Sequence, residues 1–146
     1  MALLNRKVDY AILVLSHLHG HPGGGAARTI AERFSLSRGF VANILKELCQ
    51  KGFVTSHRGV KGGYALAPGA SRQTLADLIE QMDETFRLAE CNHSEGSDCA
   101  VFGSCPVQGP IAAVHDRIIG VLRDVTLGEL FGAKSHSVQG LELITT

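Results

Sequence analysis

The feature that most constrains the fold is a helix, a tight turn and a second helix, followed directly by a glycine-rich hairpin, between residues 26 and 68. Apolar spacing predicts a short helix from Ala26 to Phe34, and Ser35-Leu36-Ser37 leads into the next helix. Ser37 is a suitable N-cap for this second helix, which extends to about Lys51. The pattern predicts a helix-turn-helix.

The hairpin that follows has the sequence GFVTSHRGVKGGYALAP. Two short strands are predicted, Phe53 to Ser56 and Tyr64 to Ala67, and the tip between them contains Arg58 and Lys61 among three glycines. Glycines allow the hairpin to approach the sugar-phosphate chain closely, and the two cations favour phosphates or the minor groove. We interpret the hairpin as a wing.

The second helix has a polar face opposite its apolar one. A helix that enters the major groove needs donors and acceptors with small neighbours, so that side chains reach the base edges. A merely solvated face would also be polar, and it is the adjacent wing that favours DNA. We expect DNA contacts from Ser37, Arg38, Asn43, Lys46, Arg58 and Lys61.

Charge is divided unevenly along the chain, although the net charge is zero. Residues 1 to 72 hold ten Lys or Arg against three Asp or Glu, a balance of +7, and residues 73 to 146 hold four against eleven, a balance of -7. The first half therefore suits a polyanion, whereas the second half is unsuited to contact with DNA phosphates.

Three cysteines, Cys91, Cys99 and Cys105, form a C-x7-C-x5-C pattern in a loop rich in Gly, Ser, Asn and Asp. Thiolates suit zinc, copper(I) or iron-sulfur clusters, and zinc sites usually show tighter spacing. A metal centre is the favoured interpretation. A thiol redox switch without metal and a loop with incidental cysteines are the alternatives. Cys49, on the second helix, is interpreted as a small core residue.

The rest of the chain is expected to be helical. A helix from Lys7 to Leu18 precedes the helix-turn-helix, and another is capped by Ser71 or Thr74. A long helix from near Pro110 has apolar residues at alternating spacings of three and four, which favours pairing with a second copy, and TLGELF ends it. These residues are Ile111, Val114, Ile118, Val121 and Val125.

The resulting interpretation is a mainly α fold, with a winged helix-turn-helix DNA-binding domain and a long dimerisation helix. No segment reaches the length of a membrane span and no secretory start is recognised, so we expect a cytoplasmic protein. The expected divisions are a winged helix-turn-helix (1–70), a linking helix (71–90), a cysteine loop (91–105), a dimerisation helix (106–131) and a tail without a readable pattern (132–146).

The motif SRGFVANILKELCQKGFV, then RGVKGGY, then three loop cysteines, resembles the Rrf-type family of bacterial transcriptional regulators over about residues 1 to 130. The resemblance implies a homodimeric winged-helix regulator, not an enzyme, on a roughly palindromic duplex operator. In the cluster-bearing branch the loop cysteines hold a [2Fe-2S] or [4Fe-4S] cluster, and Cys91, Cys99 and Cys105 match those ligands.

Two departures from the family pattern concern the ligand set. The first cysteine interval, of seven residues, is longer than in the best-known members, and Gln108 stands where members of the assembly-regulator type have a histidine ligand. In the nitric-oxide-sensing type, an aspartate of the first helix serves from the partner subunit, and Asp9 stands at that place. Asp9 would also favour the start of a helix without binding iron. His93, His115 and an exogenous ligand remain other candidates.

The expected function is a transcriptional regulator, a repressor, that senses nitric oxide, redox state or iron-sulfur status through its cluster. The alternative is a metal-free or zinc-bound regulator that responds through its thiols. A cluster-bearing enzyme is disfavoured, because no substrate domain remains once the winged helix and the dimerisation helix are assigned.

Overall fold

The computed structural model describes residues 4–60, 62–82, 86–92 and 98–132. Within them the chain is mainly helical, as predicted, with a two-stranded antiparallel sheet. The elements in chain order are α1 (Arg6–His19), α2 (Ala27–Phe34), α3 (Arg38–Gln50), β1 (Val54–His57), β2 (Gly63–Leu66), α4 (Leu75–Met82), α5 (Gln108–Asp124) and α6 (Leu127–Gly132).

Helix α1 begins at an Asn cap and buries one apolar face. The Oδ1 atom of Asn5 accepts a hydrogen bond from the N–H of Val8 at 2.9 Å, which satisfies one of the free donors of the first turn. The helix agrees with the predicted one to within a residue at each end. Its buried residues are Val8, Ala11, Val14, Leu15 and Leu18.

The helix-turn-helix is confirmed in the backbone. Ser35 adopts a left-handed conformation, with φ of 54°, and the N–H of Leu36 donates to the carbonyl of Ala31 at 2.9 Å, which ends α2. The Oγ atom of Ser37 then accepts from the N–H of Phe40 at 3.3 Å and caps α3, as predicted. The buried faces of both helices pack with α1 in a single core.

Strand β2 of the wing pairs with a third backbone segment in addition to β1. Its register runs from Val54 opposite Leu66 to His57 opposite Gly63. In addition, Gly25 and Tyr64 exchange two backbone hydrogen bonds of 2.8 Å each. The glycine-rich segment after α1, interpreted from sequence as a plain loop, thus pairs with β2 close to the wing tip and holds the wing against the segment between α1 and α2.

This pairing makes Gly63 a position where a side chain cannot be added cheaply. A Cβ atom there would lie 2.7 Å from the carbonyl oxygen of Gly25 and 2.8 Å from its carbonyl carbon. We expect Gly63→Ala to lower the free energy of unfolding by about 1–3 kcal/mol, because the two backbone segments must separate. Denaturant unfolding measures the loss. Gly23→Ala, in the paired loop but with nothing near its Cβ position, should cost far less, and equal losses would contradict the expectation.

Helix α4 begins with a reciprocal capping box. The N–H of Asp77 donates to Thr74 Oγ1 at 3.1 Å, and the N–H of Thr74 donates to Asp77 Oδ2 at 2.9 Å. Of the two predicted N-caps, Ser71 and Thr74, the cap is therefore Thr74. Ser71 lies in a separate 3-10 turn, residues 70–72. The linking helix predicted for 71–90 was too long: α4 covers Leu75–Met82, residues 83–85 lie outside the described part, and residues 86–89 are not helical.

Helix α5 differs from its prediction at both ends. It begins at Gln108, two residues before Pro110, because a proline is tolerated in the first turn. It ends at Asp124 and does not continue through TLGELF, so that part of the prediction was wrong. The remaining tail, from residue 133 onward, lies outside the described residues.

The segment after α5 forms its own helix, α6, for an identifiable reason. Thr126 and Glu129 make a second capping box, with the N–H of Glu129 donating to Thr126 Oγ1 at 3.2 Å and the N–H of Thr126 to Glu129 Oε2 at 2.9 Å. Thr126 also pairs with Thr74 in an isolated bridge, and Leu127 is fully buried. The end of α5 is thereby fixed to the start of α4.

Candidate DNA interface and cysteine loop

The polar face of α3 is exposed as the sequence predicted. Arg38, Asn43 and Lys46 are all exposed, and so is the capping residue Ser37. At 100° per residue, the three helical residues fall within a sector about 140° wide. The opposite face is buried by Val41, Ile44, Leu45 and Leu48.

The wing supplies an exposed cation at its tip. Arg58 directly follows β1 and is exposed, and the N–H of Gly62 donates to the carbonyl of Gly59 at 2.8 Å across the tip. Gly59 has a φ of 122°, a conformation that favours glycine. Lys61, the second predicted wing contact, lies outside the described residues.

Two of the three acidic residues in the first 72 are paired with cations. Glu47 on α3 lies 2.8 Å from Lys7 Nζ on α1, and Glu32 lies 2.8 Å from Arg28 Nε on α2. Both pairs are solvent-accessible and contribute little to stability. Their effect is local: neither carboxylate presents an unopposed negative charge beside α3.

The three loop cysteines occupy three short turns. Cys91 lies in a 3-10 turn, Glu90–Asn92. The backbone carbonyl of Cys99 accepts a hydrogen bond from the N–H of Phe102 at 3.1 Å, and Cys105 precedes α5. All three are half-buried and no disulfide joins them, and residues 93–97 between them, including His93, lie outside the described part. Across the described ranges, no three His, Cys, Asp or Glu residues lie close enough together to hold a metal ion. The donor set is chemically suited to a cluster, but the three thiols do not lie together among the described residues.

Cys49 is separate from this loop and has a different environment. It lies on α3, half-buried against the apolar core, and burial raises the pKa of its thiol. A protonated thiol is a poor ligand and a poor nucleophile. Its position agrees with the predicted role as a small core residue.

The other candidate ligands are placed in different surroundings. Asp9 is exposed in the first turn of α1. His115, by contrast, is engaged: its Nδ1 accepts a hydrogen bond from the N–H of Leu88 at 3.3 Å, and its ring stacks on Phe86 with centroids 5.8 Å apart. Gln108 is the first residue of α5.

Helix α5 leaves part of its predicted apolar stripe uncovered. Val114 and Val121 are 45% and 62% exposed, whereas Ile118 packs against the core. Sequence reasoning missed Val107, which is 53% exposed and lies seven residues before Val114, as Val114 lies before Val121. That heptad spacing in the sequence was the available signal.

These features together define a winged-helix DNA-binding protein with a cysteine loop. The family model Rrf2, described as an iron-dependent transcriptional regulator, matches residues 4–133. The chain therefore belongs to the Rrf2 family of transcriptional regulators. Its members are regulators and not enzymes, which agrees with the sequence interpretation.

Curated relatives include two named as the HTH-type transcriptional regulator IscR. The one from Photorhabdus laumondii is 31% identical over 129 residues, which cover 87% of this chain and 77% of the relative. The Escherichia coli relative is 30% identical over 129 residues, covering 87% and 78%. Protein aau3 of Rhizobium meliloti is 29% identical and covers 90% and 86%.

Solved structures support the winged-helix architecture. IscR of T. potens has a TM-score of 0.67 at 26% identity, covering 94% of this chain and 93% of that one. CymR, the global cysteine regulator of B. subtilis, has a TM-score of 0.70 at 22% identity, covering 92% and 99%, a likeness of fold alone. An oxidized form of Staphylococcus aureus CymR has a TM-score of 0.68 at 25% identity, covering 90% and 96%. Among the described residues, no helix combines the length and hydropathy needed to cross a bilayer.

Proposed function

We propose that this chain is a homodimeric repressor that binds a palindromic duplex operator in the cytoplasm. It responds through an iron-sulfur cluster, [4Fe-4S] or [2Fe-2S], to nitric oxide, redox state or iron-sulfur supply. The observation that best supports the sensing role is the placement of Cys91, Cys99 and Cys105 as half-buried cysteines, with no disulfide between them, on one segment between α4 and α5. Thiolates on one loop are the ligands that such clusters require.

The DNA-binding part of the proposal is supported by the exposed polar face of α3 and the exposed Arg58 of the wing. A dimer would place two recognition helices in successive major grooves, about 34 Å apart, on a roughly palindromic site. Ser37, Arg38, Asn43 and Lys46 would then contact the major groove, and Arg58 with Lys61 the phosphates or the minor groove.

Dimerisation is supported by the uncovered apolar residues of α5. Val107, Val114 and Val121 recur every seven residues and are each more than 40% exposed, so they form one stripe along the helix. A coiled-coil pairing of α5 with its copy would remove this stripe from water. The same helix contacts α4 and the turn that contains Cys91, so dimer geometry, DNA-binding half and loop meet on it.

We further propose that Asp9 of the partner subunit completes the ligand set. Three thiolates leave a cluster iron without a protein ligand, and a carboxylate is a hard donor that a soft iron site holds weakly. Asp9 is exposed, whereas Nδ1 of His115 is already occupied by the N–H of Leu88, which favours Asp9 over His115. When bound, the cluster supplies a redox-active and nitric-oxide-reactive iron centre.

Asp9→Ala should keep the cluster but shorten its lifetime in air by about tenfold, the scale on which weak and outer ligands affect metal affinity. The decay of the visible absorbance band of anaerobically prepared protein measures this lifetime. Glu80→Ala, which removes an exposed carboxylate from α4, serves as the control and should match the parent. If Asp9→Ala decays at the rate of the parent, the ligand is a histidine or an exogenous molecule.

The alternative is a metal-free or zinc-bound thiol regulator, and one observation favours it: among the described residues the three thiols do not lie together. One of the solved structures similar to this chain is an oxidized form of Staphylococcus aureus CymR. An absorbance spectrum of protein purified without oxygen, with iron, sulfide and zinc analysis, separates the two. A broad visible band with iron and sulfide supports the cluster, and a colourless protein supports the alternative.

A further inference from the structure

His115 lies midway along α5 and holds the segment that leads into the cysteine loop. Its Nδ1 atom accepts a hydrogen bond from the backbone N–H of Leu88 at 3.3 Å. Because a backbone N–H can only donate, Nδ1 is the unprotonated acceptor and the ring proton lies on Nε2. The imidazole therefore ties the backbone of residue 88 to the side of α5.

A closed turn connects Leu88 to Cys91. The N–H of Ala89 donates to Asn92 Oδ1 at 3.0 Å, and the N–H of Asn92 donates back to the carbonyl of Ala89 at 3.0 Å. These two bonds enclose Cys91 in a 3-10 turn that packs against α5. Because the turn is closed on itself, it is connected to α5 through Leu88 and the imidazole of His115.

The opposite end of the loop is attached to the same helix. The N–H of Gln108, the first residue of α5, donates to the carbonyl of Cys105 at 3.5 Å. His115 lies seven residues further on, about 10 Å along the axis at 1.5 Å per residue. Hydrogen bonds thus connect the segments that hold the first and the last cysteine of the loop to two points of helix α5.

The ring of His115 also contacts the core of the DNA-binding half. It stacks on Phe86 with the ring planes 12° apart, and Phe86 is only 8% exposed. Phe86 belongs to the apolar core that α1, α3 and α4 share, and with Ile119 and Leu122 it lines a small apolar space beside α4. One face of the His115 ring therefore lies against a closely packed side chain of the core, where a displacement of the ring would meet close-packed atoms.

We propose that His115 is a positioning residue that couples the cysteine loop to α5 and to the DNA-binding half. The inference rests on the proposed role of the loop as the sensor. A change in chemical state at Cys91 displaces the Leu88–Cys91 turn, and the imidazole passes the displacement to α5 on one side and to Phe86 on the other. In this proposal His115 positions the turn that contains Cys91 and does not bind the cluster.

The first test measures the position of Cys91 in full-length, metal-free, reduced protein. Iodoacetamide labelling of Cys91 is followed by mass spectrometry, with Cys49 of the same molecule as the internal standard. His115→Phe keeps an aromatic ring beside Phe86 but removes the acceptor. We expect Cys91 to be labelled about fivefold faster, the factor that corresponds to one hydrogen bond of about 1 kcal/mol. An unchanged rate overturns the proposal.

Matched variants separate the hydrogen bond from general damage. His115→Asn places an amide oxygen near the position of Nδ1 and should restore the parent rate. Asn92→Ala opens the turn with His115 intact and should increase the labelling rate of Cys91 as much as His115→Phe does. It therefore replaces His115→Phe in the test if His115→Phe fails to fold. Asp116→Ala, an exposed neighbour on α5, should leave the rate unchanged. Failure of His115→Asn to restore the rate contradicts the assigned hydrogen bond.

The second test measures coupling to DNA. For the parent and for His115→Phe, the ratio of duplex affinities between cluster-loaded and metal-free protein is compared. His115→Phe should reduce the ratio about threefold, within the range by which mutations between two sites alter coupling. An unchanged ratio overturns the coupling. If the parent binds the duplex with equal affinity in its cluster-loaded and metal-free forms, the proposed function is overturned as well. The labelling result does not depend on the cluster, so the two failures are distinguishable.

Discussion

Replacing Cys91, Cys99 or Cys105 singly with Ala should remove nearly all bound iron and sulfide. Each substitution deletes one of three thiolates that reside on a single loop, and two thiolates no longer enclose a cluster. Regulation of DNA binding by nitric oxide or oxygen should be lost together with the metal. Iron and sulfide analysis of anaerobically purified variants, with the visible spectrum of each, measures the effect.

Cys49→Ala is the matched control for these variants. Cys49 lies on α3 against the core, and burial raises the pKa of its thiol, so it is held as a neutral side chain away from the loop. The variant should keep the parent's iron and sulfide content. Loss of the cluster in Cys49→Ala alone would show that the assigned ligand set is wrong.

Removing Arg58 and Lys61 together should weaken DNA binding by about a hundredfold at low salt and make it less salt-dependent, because the wing loses its phosphate contacts. Each contact contributes about 0.9 to the slope of log affinity against log salt concentration, so the four cations removed from a dimer lower the slope by about 3.6. Fluorescence anisotropy at several salt concentrations, on a duplex selected from a random pool, measures both quantities. An unchanged slope would show that the wing does not contact phosphates.

Asn43→Ala is the contrasting variant at this interface. It removes an exposed amide from α3 without removing charge, so the salt slope should stay at the parent value. Preference between selected and unrelated duplexes should fall instead, since amides read adenine in the major groove. Equal losses on every duplex would contradict a base-reading role for Asn43.

Local chemistry explains why the N-terminal half could be predicted from sequence. Apolar periodicity located α1 and α3, and Ser37 is a strong N-cap whose hydrogen bond to Phe40 is formed as expected. The family resemblance was carried by the same residues, and the Rrf2 model confirms it. Exposure of Arg38, Asn43 and Lys46 follows directly from burial of the opposite helix face.

Long-range pairing explains most of what sequence reasoning missed. The two hydrogen bonds between Gly25 and Tyr64 join residues with no shared local pattern, and the bridged residues Thr74 and Thr126 are still farther apart in sequence. The break between α5 and α6 had a local signal, the T-L-G-E capping box, but the apolar stripe of α5 continues to Val125, directly before it. Leu127 is apolar because it enters the core and not because it continues the helix.

The cysteine loop was predicted from spacing and residue type, neither of which fixes a geometry. The hydrogen bonds that hold its first turn, from Leu88 to His115 and between Ala89 and Asn92, depend on side chains that are unremarkable in sequence. Its ligand set and the role of Asp9 therefore remain predictions.

Control of DNA affinity by the chemical state of the cysteine loop can be measured directly on a single preparation. One anaerobic preparation is divided, half is stripped of metal with a chelator under reducing conditions, and both halves are titrated against the selected duplex at fixed salt concentration. We expect affinities that differ by about tenfold or more between the loaded and the stripped protein, within the usual range of coupling between two sites. Equal affinities, in a protein whose loaded half contains iron and sulfide, would contradict it.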